Sequence, residues 1–202
     1  AKKLKVNVVR YADDFVITGD SQEVLEQEVR PWVEAFLAVR GLQLSEEKTR
    51  ITHIDTGFDF LGWNFRRYSG TLLIKPSKKN AQAFYRKVAE TISGNKTVKQ
   101  ASLIRLLNPM LRGWARYHSP VVAKEAYSRM ESLIFRRLWR WSKRRHPSKS
   151  ADWVRKKYFH SEGSRHWVFA VPVVREAGKG LLELYQISGT EIRRHRKVKG
   201  AF

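Results

Sequence analysis

Near the start of the chain stands the run Val9-Arg10-Tyr11-Ala12-Asp13-Asp14-Phe15-Val16. Apolar and polar residues alternate in the segment just before it, and Phe15–Thr18 forms a second run rich in strand-forming residues. Two such runs, separated by small and acidic residues, are typical of a β-hairpin. The sequence therefore predicts a hairpin whose tip presents two neighbouring carboxylates.

A helix and further strands are predicted after this hairpin. Asp20 or Ser21 can cap the helix and Gly41 can end it. The predicted apolar stripe of the helix comprises Leu25, Val29, Val33, Phe36 and Leu37. The predicted strands are Thr49–Ile54, Phe58–Phe65 with Gly62 in its middle, and Thr71–Ile74. Residues 1–76 are thus expected to form an α+β module with an antiparallel sheet.

The pattern changes to a helical period after Pro76. We predict helices at about 77–93, 98–117, 121–145 and 150–158. The third has the clearest buried face, formed by Tyr127, Met130, Ile134, Leu138 and Trp141. Two closing strands are predicted at Trp167–Val174 and Leu181–Ile187 around Gly178-Lys179-Gly180, followed by a basic tail at Arg193–Lys199.

Charge is distributed unevenly along the 202 residues, whose formal net charge is +21. Residues 1–60 contain 8 Lys and Arg against 11 Asp and Glu, whereas the remaining 142 contain 32 against 8. A strongly basic segment favours a polyanionic partner, because each neutralised phosphate releases condensed counterions. The second module is therefore predicted to bind nucleic acid.

Other classes of protein are excluded by composition. The chain has no cysteine, so it has neither disulfide bonds nor a cysteine-ligated zinc. No apolar run approaches the roughly 20 residues that cross a bilayer. We expect a protein of a reducing compartment with no membrane partner: cytoplasmic and associated with a ribonucleoprotein in a bacterial-type cell, or organellar.

Asp13 and Asp14 are candidate metal ligands. An isolated Asp-Asp pair is most often an ordinary solvated turn. When two carboxylates are desolvated together, however, they repel each other, and a divalent cation removes that repulsion. Mg²⁺ commonly takes one or two carboxylates together with substrate phosphates, and such ions assist phosphoryl transfer. The surrounding sequence has to decide between these two interpretations.

Three segments carry a resemblance to reverse transcriptases. Tyr11-Ala12-Asp13-Asp14 between two apolar strands resembles the catalytic hairpin of that family. Gly41-Leu42-Gln43-Leu44-Ser45 with Lys48-Thr49 is similar to the segment that closes the palm after its helix. Phe58–Trp63 resembles the primer-grip motif. Because all three follow in the family's order, residues 1–76 are identified as the C-terminal part of a reverse transcriptase palm.

The resemblance implies roles for residues of this first module. Asp13 and Asp14 would help to hold Mg²⁺, Tyr11 would lie near the primer end, and Lys48 would approach the incoming nucleotide. The implied primer grip comprises Phe60, Leu61, Gly62 and Trp63.

The second module resembles the maturase domain of group II intron-encoded reverse transcriptases, which is also the polymerase thumb. The resemblance rests on Leu106–His118 with its core Leu111-Arg112-Gly113-Trp114, on Leu138–Pro147, and on Ile192–His195. It implies an α-helical thumb/maturase domain over residues 77–202, with a small β-containing C-terminal segment. It also implies binding of structured intron RNA and of an RNA/DNA template-primer, support of splicing, and copying of the RNA into DNA.

Basic and aromatic side chains of this module are candidate RNA ligands. Structured RNA is held through phosphates, 2′-hydroxyls and stacking, which suit arginine and aromatic rings. A single helical Arg usually just solvates a surface, but residues 136–157 contain 10 Lys and Arg and one acid, Asp152. The candidates are Arg112, Arg116, Tyr117, Arg136, Arg140, Lys143, Arg144 and Arg145. We expect Trp114, Trp139 and Trp141 in the core and His118 and His146 in structural or phosphate-contacting positions.

Polymerases of this kind need a further metal-binding aspartate and fingers, and neither precedes Tyr11 in this sequence. We expect that the 202 residues alone do not polymerise and that a separate chain or a removed segment supplies the missing N-terminal portion. Two other functions remain open. One is an RNA-binding splicing module without polymerase activity, and the other is a reverse transcriptase recruited to a different task, such as defence.

Overall fold

The structure is a computed structural model that describes residues 5–163, 165–175 and 178–193. Its architecture is mixed α and β with antiparallel sheets, as the sequence predicts. The chain divides into two compact units, residues 1–73 and 74–202. Within the described ranges, no helix is both long and apolar enough to cross a membrane.

The first unit begins with the predicted hairpin. Strands β1 (Asn7–Tyr11) and β2 (Asp14–Thr18) pair antiparallel, with Tyr11 opposite Asp14, so that the loop consists of Ala12 and Asp13. Of these two residues only Ala12 has a positive φ, +53°, which fits a type II′ turn. The Arg10 Nε donates a hydrogen bond to the Ala12 carbonyl at 2.8 Å and stabilises the loop from one side.

The helix that follows is not regular throughout. Its first turn is capped by Ser21, whose Oγ accepts a hydrogen bond from the Val24 N–H at 3.3 Å. Val24–Val29 is π-helical, and α1 (Arg30–Ala38) follows it. The cause lies at Pro31, which has no N–H to donate to the carbonyl four residues earlier and clashes with it. The Arg30 N–H instead reaches the Leu25 carbonyl.

The predicted apolar stripe of this helix is only partly buried. Val29 is buried, whereas Leu25, Val33 and Leu37 are half-buried. Phe36, also in the predicted stripe, is 57% exposed. Trp32 and Val39 are exposed on the same helix at spacings of four and three residues from Phe36. The helix therefore has two apolar faces, and only one of them packs against other described residues.

A three-stranded meander closes the first unit. Its strands are β3 (Phe58–Phe60), β4 (Trp63–Tyr68) and β5 (Thr71–Pro76), in that order. Leu61 and Gly62 join the first pair and Ser69 and Gly70 the second; all four have positive φ, as type I′ turns require. The sequence predicted one strand over Phe58–Phe65, but Gly62 ends a two-residue hairpin loop instead.

The predicted strand Thr49–Ile54 is also wrong. This segment is irregular, and its backbone makes one hydrogen bond to the meander, from the Arg67 N–H to the Ile54 carbonyl at 3.0 Å. A strand exists only where a neighbouring strand pairs with it along its length. The β-branched residues of this segment have no such neighbour among the described residues.

The second unit is built on four helices: α2 (Lys78–Gly94), α3 (Gln100–His118), α4 (Lys124–Arg144) and α5 (Ala151–Tyr158). All four predicted helices are confirmed, with ends shifted by at most three residues. Ser77 and Ser150 cap α2 and α5 through their side chains. The predicted stripe of α4 forms the core with α3, since Tyr127, Met130, Ile134, Leu138 and Trp141 are all buried.

A small sheet completes the second unit. It contains β6 (Phe159–Glu162), β7 (Arg165–Arg175) and β8 (Gly178–Glu183) in this order. β6 was missed, because its four residues continue directly from α5 and show no alternation. The glycines Gly178 and Gly180 lie inside β8 and do not form the predicted loop, since Arg175 already pairs with Gly178. β8 ends at Glu183, before the predicted Ile187, and Arg194–Lys199 of the predicted tail lies outside the described residues.

Side-chain amides of α3 attach this sheet to the helices. The buried Gln100 donates hydrogen bonds to the carbonyls of Tyr158 and Ala170 at 2.9 and 3.0 Å. Asn108 donates to the Glu183 carbonyl at 2.9 Å and accepts from the Tyr185 N–H at 2.7 Å. Because buried backbone groups need partners, these two amides hold the sheet against α3.

Candidate active site and nucleic-acid interface

The hairpin apex brings Tyr11, Asp13 and Asp14 together in the first unit. Asp13 lies in the turn and Asp14 pairs with Tyr11 at the first rung of the ladder. All three side chains are exposed, Tyr11 at 63%. Among the described residues, neither carboxylate has a hydrogen-bond or ion-pair partner. The hairpin apex thus presents two adjacent carboxylates that form no ion pair with a side chain of residues 5–73.

The chemistry of these two carboxylates fits a magnesium ion. Mg²⁺ prefers hard oxygen ligands and usually binds one or two carboxylates while keeping several waters or phosphate oxygens. Asp13 and Asp14 supply that number of donors. In the part of the chain that the structure describes, no group of three or more His, Cys, Asp or Glu side chains is arranged to hold a metal. Two carboxylates leave the remaining positions around a Mg²⁺ ion to other oxygen ligands.

The other candidates of the first unit lie on separate elements. Lys48 is exposed in a turn after α1, where its N–H donates to the Ser45 carbonyl at 3.2 Å. Phe60, Leu61, Gly62 and Trp63 form the tip of the β3–β4 hairpin, with Phe60 opposite Trp63. Below this tip the rings of Phe58 and Phe65 stack at 5.3 Å. The predicted primer grip is thus a compact, half-buried hairpin end.

Gly57 fixes where the β3–β4 hairpin starts. It has a φ of +82°, and a Cβ at this position would lie 2.8 Å from the Arg66 Cβ and 2.9 Å from the Phe65 carbonyl oxygen. Only glycine accommodates both the left-handed backbone and this close approach. Next to it, Arg67 forms an ion pair with Asp55 at 2.6 Å, and this contact lowers the pKa of the Asp55 carboxyl.

In the second unit, the segment Leu106–His118 separates into a buried and an exposed face. Trp114 and His118 point inward, and both approach the side chain of Asn80 on α2. The Trp114 Nε1 donates to the Asn80 Oδ1 at 2.9 Å, and the His118 Nε2 lies 3.0 Å from the same oxygen. Since a carbonyl oxygen only accepts, the His118 proton belongs on Nε2. Burial lowers the pKa of His118 to about 4, so the ring is neutral.

The exposed face of α3 carries a line of arginines. Arg105, Arg112 and Arg116 are all exposed and stand at spacings of seven and four residues, which places them on one side of the helix. Arg105 was not predicted, although the same spacing in the sequence would have identified it. On this side Gly113 has no atom within 4 Å of an added Cβ. The helix surface is therefore open around these side chains.

The outer face of α4 has a similar line. Arg129, Arg136, Arg140 and Lys143 are exposed and lie opposite the buried stripe. Three of them were predicted, and Arg129 was missed because it stands outside the dense basic segment at 136–157. Arg144 is also exposed, toward the flank of the helix.

Arg145, another predicted RNA ligand, makes two contacts with the protein. Its guanidinium donates to the Lys96 carbonyl at 2.6 Å and lies 4.6 Å from the centre of the Trp141 ring. Tyr117 is 46% exposed, and its ring meets the edge of His118 at 4.9 Å. Arg112 reaches the face of Tyr185 at 5.3 Å. These contacts set the orientations of Arg145, Tyr117 and Arg112, which the sequence alone does not predict.

The tryptophans follow the expectation of a core role. Trp114 and Trp141 are buried, and Trp141 donates to the Asn95 carbonyl at 2.8 Å. Trp139 is half-buried among other rings. His146 bonds the Tyr158 hydroxyl at 2.8 Å; burial and then the neighbouring cations Lys157, Arg145 and Lys149 lower its pKa.

Comparison with known proteins identifies both units. Residues 1–65 match the family model described as reverse transcriptase (RNA-dependent DNA polymerase). Residues 81–159 match the model described as group II intron, maturase-specific domain. The two matches are those of a group II intron reverse transcriptase/maturase, one in each unit. In this reverse transcriptase/maturase chain, the first model includes the Tyr11–Asp14 hairpin and the second includes the arginine lines of α3 and α4.

Relatives of this reverse transcriptase/maturase chain carry corresponding names. Maturase-like protein 1 of Euglena gracilis is 27% identical over 137 residues, which cover 64% of this chain and 27% of that protein. Group II intron-encoded protein LtrA of Lactococcus lactis subsp. cremoris is 41% identical over 66 residues, which cover 32% of this chain and 11% of that protein. The chain thus spans about a quarter and a tenth, respectively, of these two relatives.

Proposed function

We propose that this chain is the palm-end and thumb portion of an RNA-directed DNA polymerase that acts on group II intron RNA, and that the same thumb binds the intron for splicing. The observation that carries the polymerase part is the hairpin apex, where Asp13 and Asp14 are exposed, adjacent and without a partner among the described residues. The match of residues 1–65 to reverse transcriptases supports it.

In this proposal Asp13 and Asp14 hold Mg²⁺ beside the primer end. A bound ion there supplies the positive charge that offsets negative charge on the reacting phosphate. Tyr11, exposed opposite Asp14 on the same rung, offers its ring to the terminal primer nucleotide. Lys48 offers a cation to the phosphates of the incoming nucleotide, and the Phe60–Trp63 tip supports the primer strand. All of these assignments follow from the family resemblance, and the exposure of Tyr11, Asp13, Asp14 and Lys48 agrees with it.

A further polypeptide portion completes the polymerase in this proposal. Val8 and Val9 lie on opposite faces of β1 and are 63% and 58% exposed, so the described residues cover neither face of this strand. A two-stranded hairpin is marginal alone. Additional palm structure would cover the hairpin and add a carboxylate ligand for the metal. Fingers would complete the polymerase. We expect no primer extension from the 202 residues alone with an RNA template and Mg²⁺.

The second unit supplies the RNA-binding part of the proposal. The outer faces of α3 and α4 present Arg105, Arg112 and Arg116, and Arg129, Arg136, Arg140 and Lys143. Arginines spaced along a helix can contact successive phosphates, and their planar forks suit phosphate oxygens. The match of residues 81–159 to the maturase-specific domain supports structured intron RNA as the partner. An RNA/DNA template-primer duplex also presents backbone phosphates, so the same arginines could bind it.

Paired substitutions of the two carboxylates test this function. In the protein completed by its N-terminal portion, Asp13→Asn with Asp14→Asn should reduce primer extension by at least about a hundredfold, because the amides no longer neutralise the ion. Splicing of the intron RNA should remain within about twofold, since the thumb is unchanged. Asp20→Asn, an exposed carboxylate beyond β2, is the matched control and should retain both activities.

Two outcomes of this experiment would contradict parts of the proposal. Unchanged DNA synthesis in the double variant would exclude Asp13 and Asp14 as metal ligands. Splicing without any DNA synthesis in the unmodified, completed protein would instead identify an RNA-binding splicing module that uses the hairpin as scaffold.

A further inference from the structure

An exposed aromatic surface lies on the small sheet of the second unit, around Trp167. His160 pairs with Val168 and Glu162 with Arg165, so His166 and Trp167 together stand opposite the single residue Ser161. This extra residue makes a β-bulge, a feature that re-aims side chains from the regular alternation of a strand. The bulge directs the Trp167 indole to a partly exposed position.

Trp167 also has a strained backbone. Its φ is +60°, in the left-handed region that a bulky side chain rarely occupies. Such conformations persist where the surroundings impose them, and they are frequent at binding sites. The indole is also only partly buried, because Trp167 is 43% exposed whereas Phe169, two residues on, is 3% exposed. Packing alone therefore gives no complete account of this tryptophan.

Other rings extend the surface around Trp167. Its ring centre lies 5.6 Å from that of Trp139 and 6.2 Å from those of Phe135 and Phe159. Phe135, on α4, is 36% exposed. Two partly exposed rings backed by two more give a rigid apolar surface with few rotatable bonds.

A cavity of about 290 Å³ opens beside these rings. Phe135 and Trp167 line it from one side and Tyr185 and Gln186 from another. This volume is at the lower end of ligand pockets, which span about 300–1,000 Å³. It suits one flat ring system better than a larger ligand. The Gln186 amide and the Glu131 carboxylate, whose Oε1 accepts from the Ser188 N–H at 2.9 Å, provide polar groups at its wall.

Cations stand at the rings of this cavity. The Arg155 guanidinium lies 5.7 Å from the centre of the Trp167 ring, and the Arg112 guanidinium 5.3 Å from that of Tyr185. Both distances are within the range of cation–π contacts. A flat ring in the cavity would thus have positive charge at its edge, where an attached phosphate would lie. This complementarity favours a nucleotide over an apolar peptide side chain, which has no charge for the guanidinium groups.

From these contacts we infer that the cavity beside Trp167 takes an unpaired nucleobase of the RNA, stacked on the Trp167 ring with its edge toward Phe135, whose ring is inclined by 64° to that of Trp167. The inference rests on the proposed RNA binding and adds a place for a single-stranded nucleotide next to the helical arginines. Stacking on aromatic rings accepts every base, because each base has a π face. The cavity would therefore distinguish unpaired from paired RNA rather than one sequence from another.

The test compares two RNA hairpins, one blunt-ended and one with a tail of unpaired adenosines, by fluorescence anisotropy with the full chain. Trp167→Asn should bind the tailed RNA about tenfold more weakly and the blunt RNA as the unmodified chain does. Asparagine tolerates the left-handed backbone, so the variant should fold, which circular dichroism checks. Trp167→Phe keeps a ring and should retain most of the preference for the tail. Trp32→Asn, which removes an exposed tryptophan from the first unit, should change neither affinity.

Each result decides one statement. If the unmodified chain binds neither RNA, the proposed RNA-binding function fails. If it binds both and Trp167→Asn weakens them equally or not at all, RNA binding stands and the nucleobase site is wrong. If Trp167→Asn unfolds, Phe135→Ser provides the second variant, and an unchanged preference for the tail in that variant would also overturn the inference.

Discussion

At the scale of single residues, the neutral His118 shows how burial converts a titratable group into a structural one. Its ring is fully buried between Trp114 and Tyr117, and its Nε2 proton is directed at the Asn80 oxygen. A positively charged ring would lose its hydration there, and that loss disfavours the charged form. The helix α3 thus depends on the uncharged form.

This dependence predicts a change of stability with pH. The pKa of His118 is about 4 in the folded chain against 6.5 in the reference state, so the unfolded chain binds the proton more tightly. The free energy of unfolding is therefore undiminished above pH 6.5 and falls as the pH drops from 6.5 toward 4, by up to about 3 kcal/mol. Urea unfolding followed by circular dichroism across this interval measures the effect.

A histidine outside the core provides the control for this prediction. His118→Gln should flatten the pH dependence, because glutamine keeps a donor and does not titrate. His53→Gln should leave it unchanged, since 67% of the His53 side chain is exposed. An identical slope in His118→Gln and in the unmodified chain would contradict the assignment.

At the scale of elements, α4 combines a buried stripe with an outer line of cations, and the two can be separated by mutation. Arg136→Ala with Arg140→Ala should weaken binding to a structured RNA and lower the slope of log affinity against log salt by about one to two units. The buried face is unchanged, so the thermal midpoint should stay within a few degrees. Anisotropy titrations at several salt concentrations test both statements.

The matched control for the α4 variant removes the same charge from the first unit. Arg30→Ala with Arg40→Ala eliminates two exposed arginines of α1 and its C-terminal end. If this pair lowered the salt slope as much as the α4 pair did, RNA binding would depend on total charge rather than on the α4 surface.

The elements also explain which parts of the fold follow from sequence. The helices of the second unit were predictable because their caps and periods are local signals, such as Ser77 before α2 and Ser150 before α5. Strands depend on partners far along the chain, which explains both the wrong strand at Thr49–Ile54 and the missed β6. The π-helical turn at Val24–Val29 had a local cause, Pro31, that the apolar period concealed.

The candidate site divides in the same way. The hairpin of Asp13 and Asp14 was predictable from its two flanking runs, and so was the basic character of α3 and α4. The contacts of Arg145 were not, because they depend on the Lys96 carbonyl and the Trp141 ring, 49 and 4 residues away in sequence. The bulge at Trp167 was likewise invisible, since it arises from the register between two strands.

At the scale of the whole molecule, apolar side chains of the first unit remain open to solvent. Trp32, Phe36 and Val39 on α1 are 65%, 57% and 86% exposed. Large exposed apolar patches mark interaction surfaces or cause self-association. We predict that Trp32→Lys with Val39→Lys reduces concentration-dependent self-association, measured by sedimentation velocity, without weakening RNA binding by more than about twofold.

Leu106→Lys serves as the comparison for this surface, because it adds a charge at an exposed leucine of α3 instead. It should leave self-association unchanged. Equal association of the α1 variant and the unmodified chain would show that the α1 face is not the adhesive surface.

The two hydrogen bonds of Asn108 have a consequence for the timing of binding. They fasten the end of β8 and the start of the Tyr185 segment to the same helix that carries Arg112 and Arg116. The wall of the cavity that contains Tyr185 is thus ordered in the protein without RNA. This segment therefore loses little conformational entropy when a ligand binds. Loss of the two Asn108 hydrogen bonds would leave every arginine in place. In the proposed interaction it would still slow the binding of an unpaired base.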